Sequence, residues 1–262
     1  MATKKSLTIQ DLFSKISKVN ITQVLVLLLI VAAFLLGVLF TKVQYLEKNA
    51  GNTLAAASKA GQTDQQAVPE QTGPEKVSVD DDPVLGDKSA PITMIEFVDY
   101  ECPFCKRFFD ETLPQIKSDY IDKGKMKLVM RDLPLSFHQN AHRESQAAEC
   151  AREQGGDTAY FKYHDEIFKR TTSNGTGLAL DQLSVIANDI GLNGSALQSC
   201  LDSEKYKAEV DKDLADASAY GATGTPSFFI GKSDSSGTFT GTILIGAQPF
   251  AAFKTIIDEQ LK

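Results

Sequence analysis

The pattern of apolar and polar positions divides the chain into three stretches. In the first, Val19 to Thr41 carries no charged side chain, and Ile21 to Phe40 (ITQVLVLLLIVAAFLLGVLF) shows no polar face recurring at helical spacing. At about 1.5 Å rise per residue this run covers the roughly 30 Å hydrocarbon core of a bilayer, so it predicts one membrane-spanning helix. It exceeds the apolar region of about 7 to 15 residues in a cleaved signal peptide, and Leu39-Phe40-Thr41-Lys42 follows where a small-residue cleavage site would stand. The run therefore reads as a retained anchor. Lys4, Lys5, Lys15 and Lys18 precede it and only Lys42 and Lys48 follow closely, which leaves the N-terminus in the cytoplasm and the bulk of the chain outside it.

The second stretch, Asn49 to about Pro83, is rich in Ala, Gln, Gly, Thr, Pro, Asp and Glu and has almost no large apolar residue, too little to offset the entropy of ordering. Residues 1–18 are thus expected as a cytoplasmic N-terminus, 19–41 as the anchor, 42–83 as a flexible linker and 84–262 as one domain.

Within that domain Ile92 to Val98 (ITMIEFV) is short, apolar and β-branched, the pattern of a strand buried on both faces. A helix-compatible stretch runs from Pro103 to about Tyr120. Pro103 suits its first turn, and Pro114 should kink it. Lys125 to Arg131 reads as a second strand. Arg143 to Gln154, Ala159 to Arg170, Asp181 to Ile190 and Glu204 to Tyr220 place apolar residues three or four apart, with Asp181 as an N-cap and Gly191 and Gly221 as stops. Ser227 to Ile230 and Thr242 to Ile245 flank a Gly, Ser and Asp loop and predict a hairpin, and Pro249 to Leu261 predicts a closing amphipathic helix. The order is β, α, β, a helical block at about 138–221, a hairpin, then α, which predicts an α/β fold.

Composition narrows the partners. The 262 residues are 23% charged and 42% hydrophobic with 4 Cys, which excludes disordered, collagen-like and cysteine-framework classes. Of 27 basic and 34 acidic side chains, 7 and 5 lie in residues 1–75, leaving 20 and 29 beyond. An acidic domain without a basic patch does not hold a phosphate backbone, so nucleic acid is not an expected partner.

The candidate chemistry sits at Cys102-Pro103-Phe104-Cys105, between the first strand and its helix. The first Cys falls at a helix N-terminus, where unpaired N–H groups and the macrodipole favour an anion and lower the thiol pKa. A stabilised thiolate leaves readily, so a disulfide here passes easily to another protein. Cys102 is the expected nucleophile and Cys105, one turn on, the resolving thiol. Two other readings exist: a zinc site, which lacks a second pair of suitably spaced ligands, and a purely structural disulfide, whose two-residue loop gains little from closure.

The segments IEFVDYECPFCKRF, TGTPSFFIG and GAQPF, in that order, resemble the membrane-anchored bacterial DsbA-like thiol:disulfide oxidoreductases across about residues 80–262. The resemblance implies a thioredoxin-like fold with an inserted helical subdomain, here preceded by one N-terminal transmembrane helix. It matches Cys102 and Cys105 to the active-site pair, Pro226 to a cis-proline and Thr225 to the residue before it. Glu96 matches a buried carboxylate that moves a proton to or from the resolving cysteine. An X-Pro bond adopts cis at a cost of only about 0.5 to 1 kcal/mol, and the turn frees Thr225 backbone groups to pair with an extended substrate. A lone acid in an apolar strand is costly unless protonated, so Glu96 should have a raised pKa; an exposed edge position is the other reading. The resemblance also implies reduced or unfolded secreted proteins as substrates. It implies a quinone-linked membrane reoxidant of the DsbB or vitamin K epoxide reductase type, and no cofactor beyond the Cys102-Cys105 disulfide. Phe104 supplies no charge where some relatives carry His, so a milder oxidant is expected.

Cys150 and Cys200 permit a second, structural disulfide across about 50 residues; two free buried thiols are the alternative. His138, His142 and His164 share no convincing ligand spacing, and no metal is expected. Tyr100 and Phe104 could rim the cysteines for unfolded substrate. The expected activity is a dithiol oxidase; an isomerase or reductase on the same scaffold, or a non-catalytic binding module, are its competitors.

Overall fold

The computed structural model describes residues 75–262. The expected cytoplasmic segment 1–18, the span 19–41 and the linker as far as residue 74 lie outside the described residues. Among those described, no helix is long and apolar enough to cross a membrane.

Six strands form one sheet in the order β1-β6-β5-β3-β4-β2. They are β1 (Glu75–Ser78), β2 (Val84–Leu85), β3 (Ile92–Val98), β4 (Met126–Asp132), β5 (Ser227–Lys232) and β6 (Thr238–Ile245). β3 runs parallel to β4 and antiparallel to β5, and β5 and β6 pair as the expected hairpin with Ser227 opposite Ile245. The linker expected up to residue 83 needs correction: β1 pairs with β6, Val77 is fully buried, and Asp82 lies buried beside Arg131. The edge strand escaped the pattern because only one of its four side chains, Val77, enters the core.

The winding after Cys102 continues over 103–121. It comprises α1 (Pro103–Arg107), a π turn (Phe108–Thr112), α2 (Leu113–Ile116) and a second π turn (Lys117–Ile121). Pro114 follows directly on the first π turn, where Leu113 N–H donates to Phe108 O; the wider winding accommodates a ring that would otherwise clash.

Between β4 and β5 lies the helical insertion: α3 (Ala141–Arg170), α4 (Gln182–Asp189), α5 (Gly194–Asp202) and α6 (Lys207–Ala219). α3 joins two expected helices, with Gly155 and Gly156 leaving helical geometry between them. α5 was not among the expected stretches; Asn193 caps it by accepting from Ala196 N–H at 2.9 Å. The closing helix α7 spans Phe250–Gln260.

All seven residues of β3 are buried, so its alternate side chains feed two cores. Ile95 and Phe97 join Val129, Phe229 and Ala217 on one face. Ile92, Met94 and Val98 join Phe108, Phe228 and Phe253 on the other, the face that also holds Cys105. Glu96 shares the parity of Met94 and Val98 and therefore points to the cysteine side.

Candidate active site

β3 ends at Val98, and the turn Asp99-Tyr100-Glu101 delivers Cys102 to the N-cap of α1 with extended backbone, φ −80° and ψ 121°. Cys102 N–H donates to Asp99 O at 3.1 Å, and Cys102 O accepts Lys106 N–H at 3.1 Å as the first helical bond. Pro103 fills the first turn, where no N–H is needed. The Thr225–Pro226 peptide bond is cis. Cys102 is 4% exposed, and its Sγ donates to the Thr225 carbonyl at 3.4 Å. Cys105 is fully buried one turn on, and both sulfurs are free thiols.

The two thiols differ sharply in acidity. The Cys105 thiol hydrogen-bonded to it does most to bring Cys102 down, to about 6; the Thr225 side chain and the N–H groups of Cys105 and Phe104 add to this, against burial. The helix terminus thus contributes, but the partner thiol contributes more than the dipole argument assigns to it. Burial pushes Cys105 well above the usual thiol range, with the Cys102 charge and Glu96 adding to it. Glu96 is 2% exposed with one carboxyl oxygen, Oε2, unpartnered, and burial alone pushes it well up. It sits on a central strand, not an edge, where burial favours its neutral form.

Phe104 is 52% exposed beside the sulfurs, with the Arg107 guanidinium 5.2 Å from its ring centre. Tyr100 does not rim the site. It is fully buried, packed on His164 and Phe168, with its hydroxyl donating to Tyr160 Oη at 3.3 Å. The turn out of β3 swings it inward between the sheet and α3. The exposed aromatic that sequence reasoning missed is Phe137, 70% exposed on the loop whose Leu135 N–H donates to Asp99 Oδ2 at 2.8 Å. Its signal was a Phe within the polar segment Ser136 to Asn140.

Cys150 and Cys200 are bonded to each other, Cα atoms 6.0 Å apart, and tie α3 to α5. The three histidines stand apart: His138 pairs with Asp99, His142 with Asp211 and His164 with Asp165. Carboxylates do gather elsewhere, with Asp82, Glu209 and Asp213 offering oxygens within 4.8 Å of one another. Arg131, buried among them, already bonds Asp82, Asp213 and Asp216, so the cluster has a resident cation.

Comparison with known proteins agrees with this geometry. The family model described as Thioredoxin matches residues 78–259. Disulfide bond formation protein D of Bacillus subtilis is 26% identical over 155 residues, covering 58% of this chain and 69% of that protein. The crystal structure of Wolbachia pipientis alpha-DsbA1 superposes with a TM-score of 0.60 at 27% identity, covering 71% of this chain and 93% of that one. The Na(+)/H(+) antiporter NhaA 3 of Salinispora tropica is 29% identical over 155 residues, but the chain spans only 22% of that protein's length.

Proposed function

The chain belongs to the thioredoxin family and is a DsbA-like thiol:disulfide oxidoreductase, and from that premise we propose that it is a dithiol oxidase that introduces disulfides into proteins outside the cytoplasm. The observation that carries the direction is the acidity gap across one helical turn: Cys102 is held down to about 6 while Cys105 is pushed well up. A sulfur that is stable as an anion is the better leaving group, so the reduced pair is the favoured state.

In the reaction, a substrate thiolate attacks the Cys102 sulfur of the Cys102-Cys105 disulfide, forming a mixed disulfide as the bond to Cys105 breaks. Cys105 leaves as a thiolate and takes the proton that Glu96 holds on the same face of the sheet. A second substrate thiolate then attacks the substrate's own sulfur and expels Cys102 as the stabilised thiolate. The substrate loses two electrons and the pair gains them, with no further cofactor. The Thr225 carbonyl beside Cys102 supports a role in aligning an extended substrate strand, and exposed Phe104 and Phe137 offer apolar contact to unfolded chains. Reoxidation falls to a quinone-linked membrane partner of the DsbB or vitamin K epoxide reductase type. Residues 19–41 hold the domain at the membrane and the segment after them tethers it.

The test is the reduction potential of the Cys102-Cys105 pair against glutathione, with Cys102→Ser as the blank. The expected value lies above the strongly reducing figure of thioredoxin, about −270 mV, and below the about −120 mV of the most oxidising relatives, since Phe104 brings no charge. A value at the thioredoxin end refutes the oxidase direction. Efficient rescue of scrambled ribonuclease without added oxidant would mark an isomerase instead.

A further inference from the structure

The segment that delivers Cys102 to its helix is gripped by a carboxylate that no step above uses. Glu101, the residue before Cys102, is fully buried. Its Oε1 accepts from Leu178 N–H at 3.0 Å and from the Thr171 hydroxyl at 3.3 Å, and its Oε2 accepts from Gly177 N–H at 2.7 Å. Its backbone carbonyl accepts Asn174 N–H at 2.8 Å. Every donor comes from one loop of the insertion, residues 171–178 after α3. That loop is wound tightly: Ser173, Asn174 and Gly175 have φ of 63°, 66° and 92°, and a Cβ on Gly177 would stand 2.1 Å from Ser173 N. Side chains rarely adopt consecutive left-handed backbone, and a winding that turns its N–H groups inward makes a cup for an anion. Glu101 fills the cup.

Across from it on α3 lies Glu144, with no exposed surface and no hydrogen-bond partner at either carboxyl oxygen. Burial first, then Glu101 and the nearby Asp99, push Glu144 up to about 10. Tyr163 faces it from the same helix. On the other side of the turn, Asp99 accepts from Glu101 N–H, Leu135 N–H and His138 Nδ1, each at 2.8 Å.

We propose that Glu101 is a positioning residue for Cys102: it fixes the turn 99–102 to the helical insertion and so holds the sulfur over the first turn of α1 and against the Thr225 carbonyl. The N–H groups of Phe104 and Cys105 act on the Cys102 sulfur only at hydrogen-bond reach, and that reach falls off steeply with displacement. Loosening the cup therefore returns Cys102 toward ordinary thiol acidity. This inference rests on Cys102 being the acidic nucleophile proposed above.

The readout is the alkylation rate of Cys102 as a function of pH, beside thermal unfolding, in the reduced protein. Glu101→Gln, which presents an amide NH2 to a cup of donors, should slow alkylation at about pH 6 roughly fivefold or more, while leaving the high-pH plateau unchanged. Thr171→Val, which removes one hydroxyl and leaves the loop backbone, should shift the profile in the same direction by about twofold. Lower unfolding temperatures with an unmoved Cys102 profile overturn the proposal, because the grip is then merely structural. If Glu101→Gln fails to fold, Thr171→Val decides, and an unmoved profile there refutes it. A parent protein whose Cys102 shows no depressed pKa defeats the oxidase reading instead, so the two failures are distinct.

Discussion

The acidity of Cys102 makes a quantitative demand on stability. Oxidation removes that thiol from titration, so the stability of the reduced protein minus that of the oxidised protein isolates its contribution from other groups common to both forms. In the folded reduced state Cys102 ionises at about 6, against 9.0 for an unperturbed thiol. The folded value is depressed, so the stabilisation is complete above about 9 and is lost as pH falls through about 6. Between those limits the reduced form gains about 1.4 kcal/mol per pH unit in the ideal case; allowing for solvent screening, the gain from pH 5 to pH 8 is about 2 kcal/mol. Cys105 adds little over that interval, because it stays protonated in the folded state and nearly so in the unfolded one. Denaturant unfolding of both redox forms, run in parallel at several pH values, measures the difference directly. It should rise with pH to about 8 to 9, beyond which ionisation of Cys105 in the unfolded state turns it down. A difference that stays flat from about pH 5 to about pH 8, or falls, refutes the assignment of Cys102 as a stabilised thiolate. The same gain corresponds to roughly 40 mV of oxidising power at the upper end, so the potential should move in step.

Three further outcomes test the rest of the site and its scaffold. Glu96→Gln should slow substrate oxidation about tenfold or more, read in stopped-flow turnover of a dithiol peptide, while leaving the Cys102 profile in place; because burial raises the Glu96 pKa, its contribution to stability is lost as pH rises, so the amide should be no less stable than the parent at neutral pH. Replacing Cys150 and Cys200 by Ser opens a loop closed across 50 residues and should remove about 4 kcal/mol of unfolding free energy, with redox titration of Cys102-Cys105 intact. Arg131→Leu strands Asp82, Asp213 and Asp216 without their cation and should cost about 3 to 5 kcal/mol in the same unfolding assay.

What could be read from the chain follows from where periodicity and chemistry coincide. β3 announced itself because both its faces are buried, giving an unbroken apolar run with one anomalous acid, and the Cys-x-x-Cys stood at its end. The helical insertion was visible as repeats three or four apart, and even its internal break showed, since Gly155 and Gly156 interrupt the pattern where α3 bends. β1 was not visible, because an edge strand with one buried residue has the composition of a tether. Tyr100 was misjudged because adjacency to a reactive cysteine in sequence says nothing of which way a turn points the ring. Arg131 read as the polar end of a strand, whereas it is the centre of a buried charge network supplied by residues far away in the chain.

Glu101 and Glu144 illustrate the limit most clearly. In sequence, Glu144 is one polar residue on a helix whose neighbours Arg143, Ser145 and Gln146 are also polar, so the stretch around it resembles a solvated face. Yet Glu144, Ser145, Gln146 and Glu149 are all buried, so the apolar repeat that marks α3 in sequence shows only part of the face it buries. Burying polar groups in this way is costly, and Glu144, Ser145 Oγ and Gln146 Oε1 are left without hydrogen-bond partners. The turn that presents Cys102 is held instead by Glu101 in the loop 171–178. The hydrophobic pattern is therefore weakest where the insertion meets the active-site turn, because that contact is built from hydrogen bonds. A reading by hydrophobicity alone recovers the scaffold and the cysteines, and it misses the contact that aligns them.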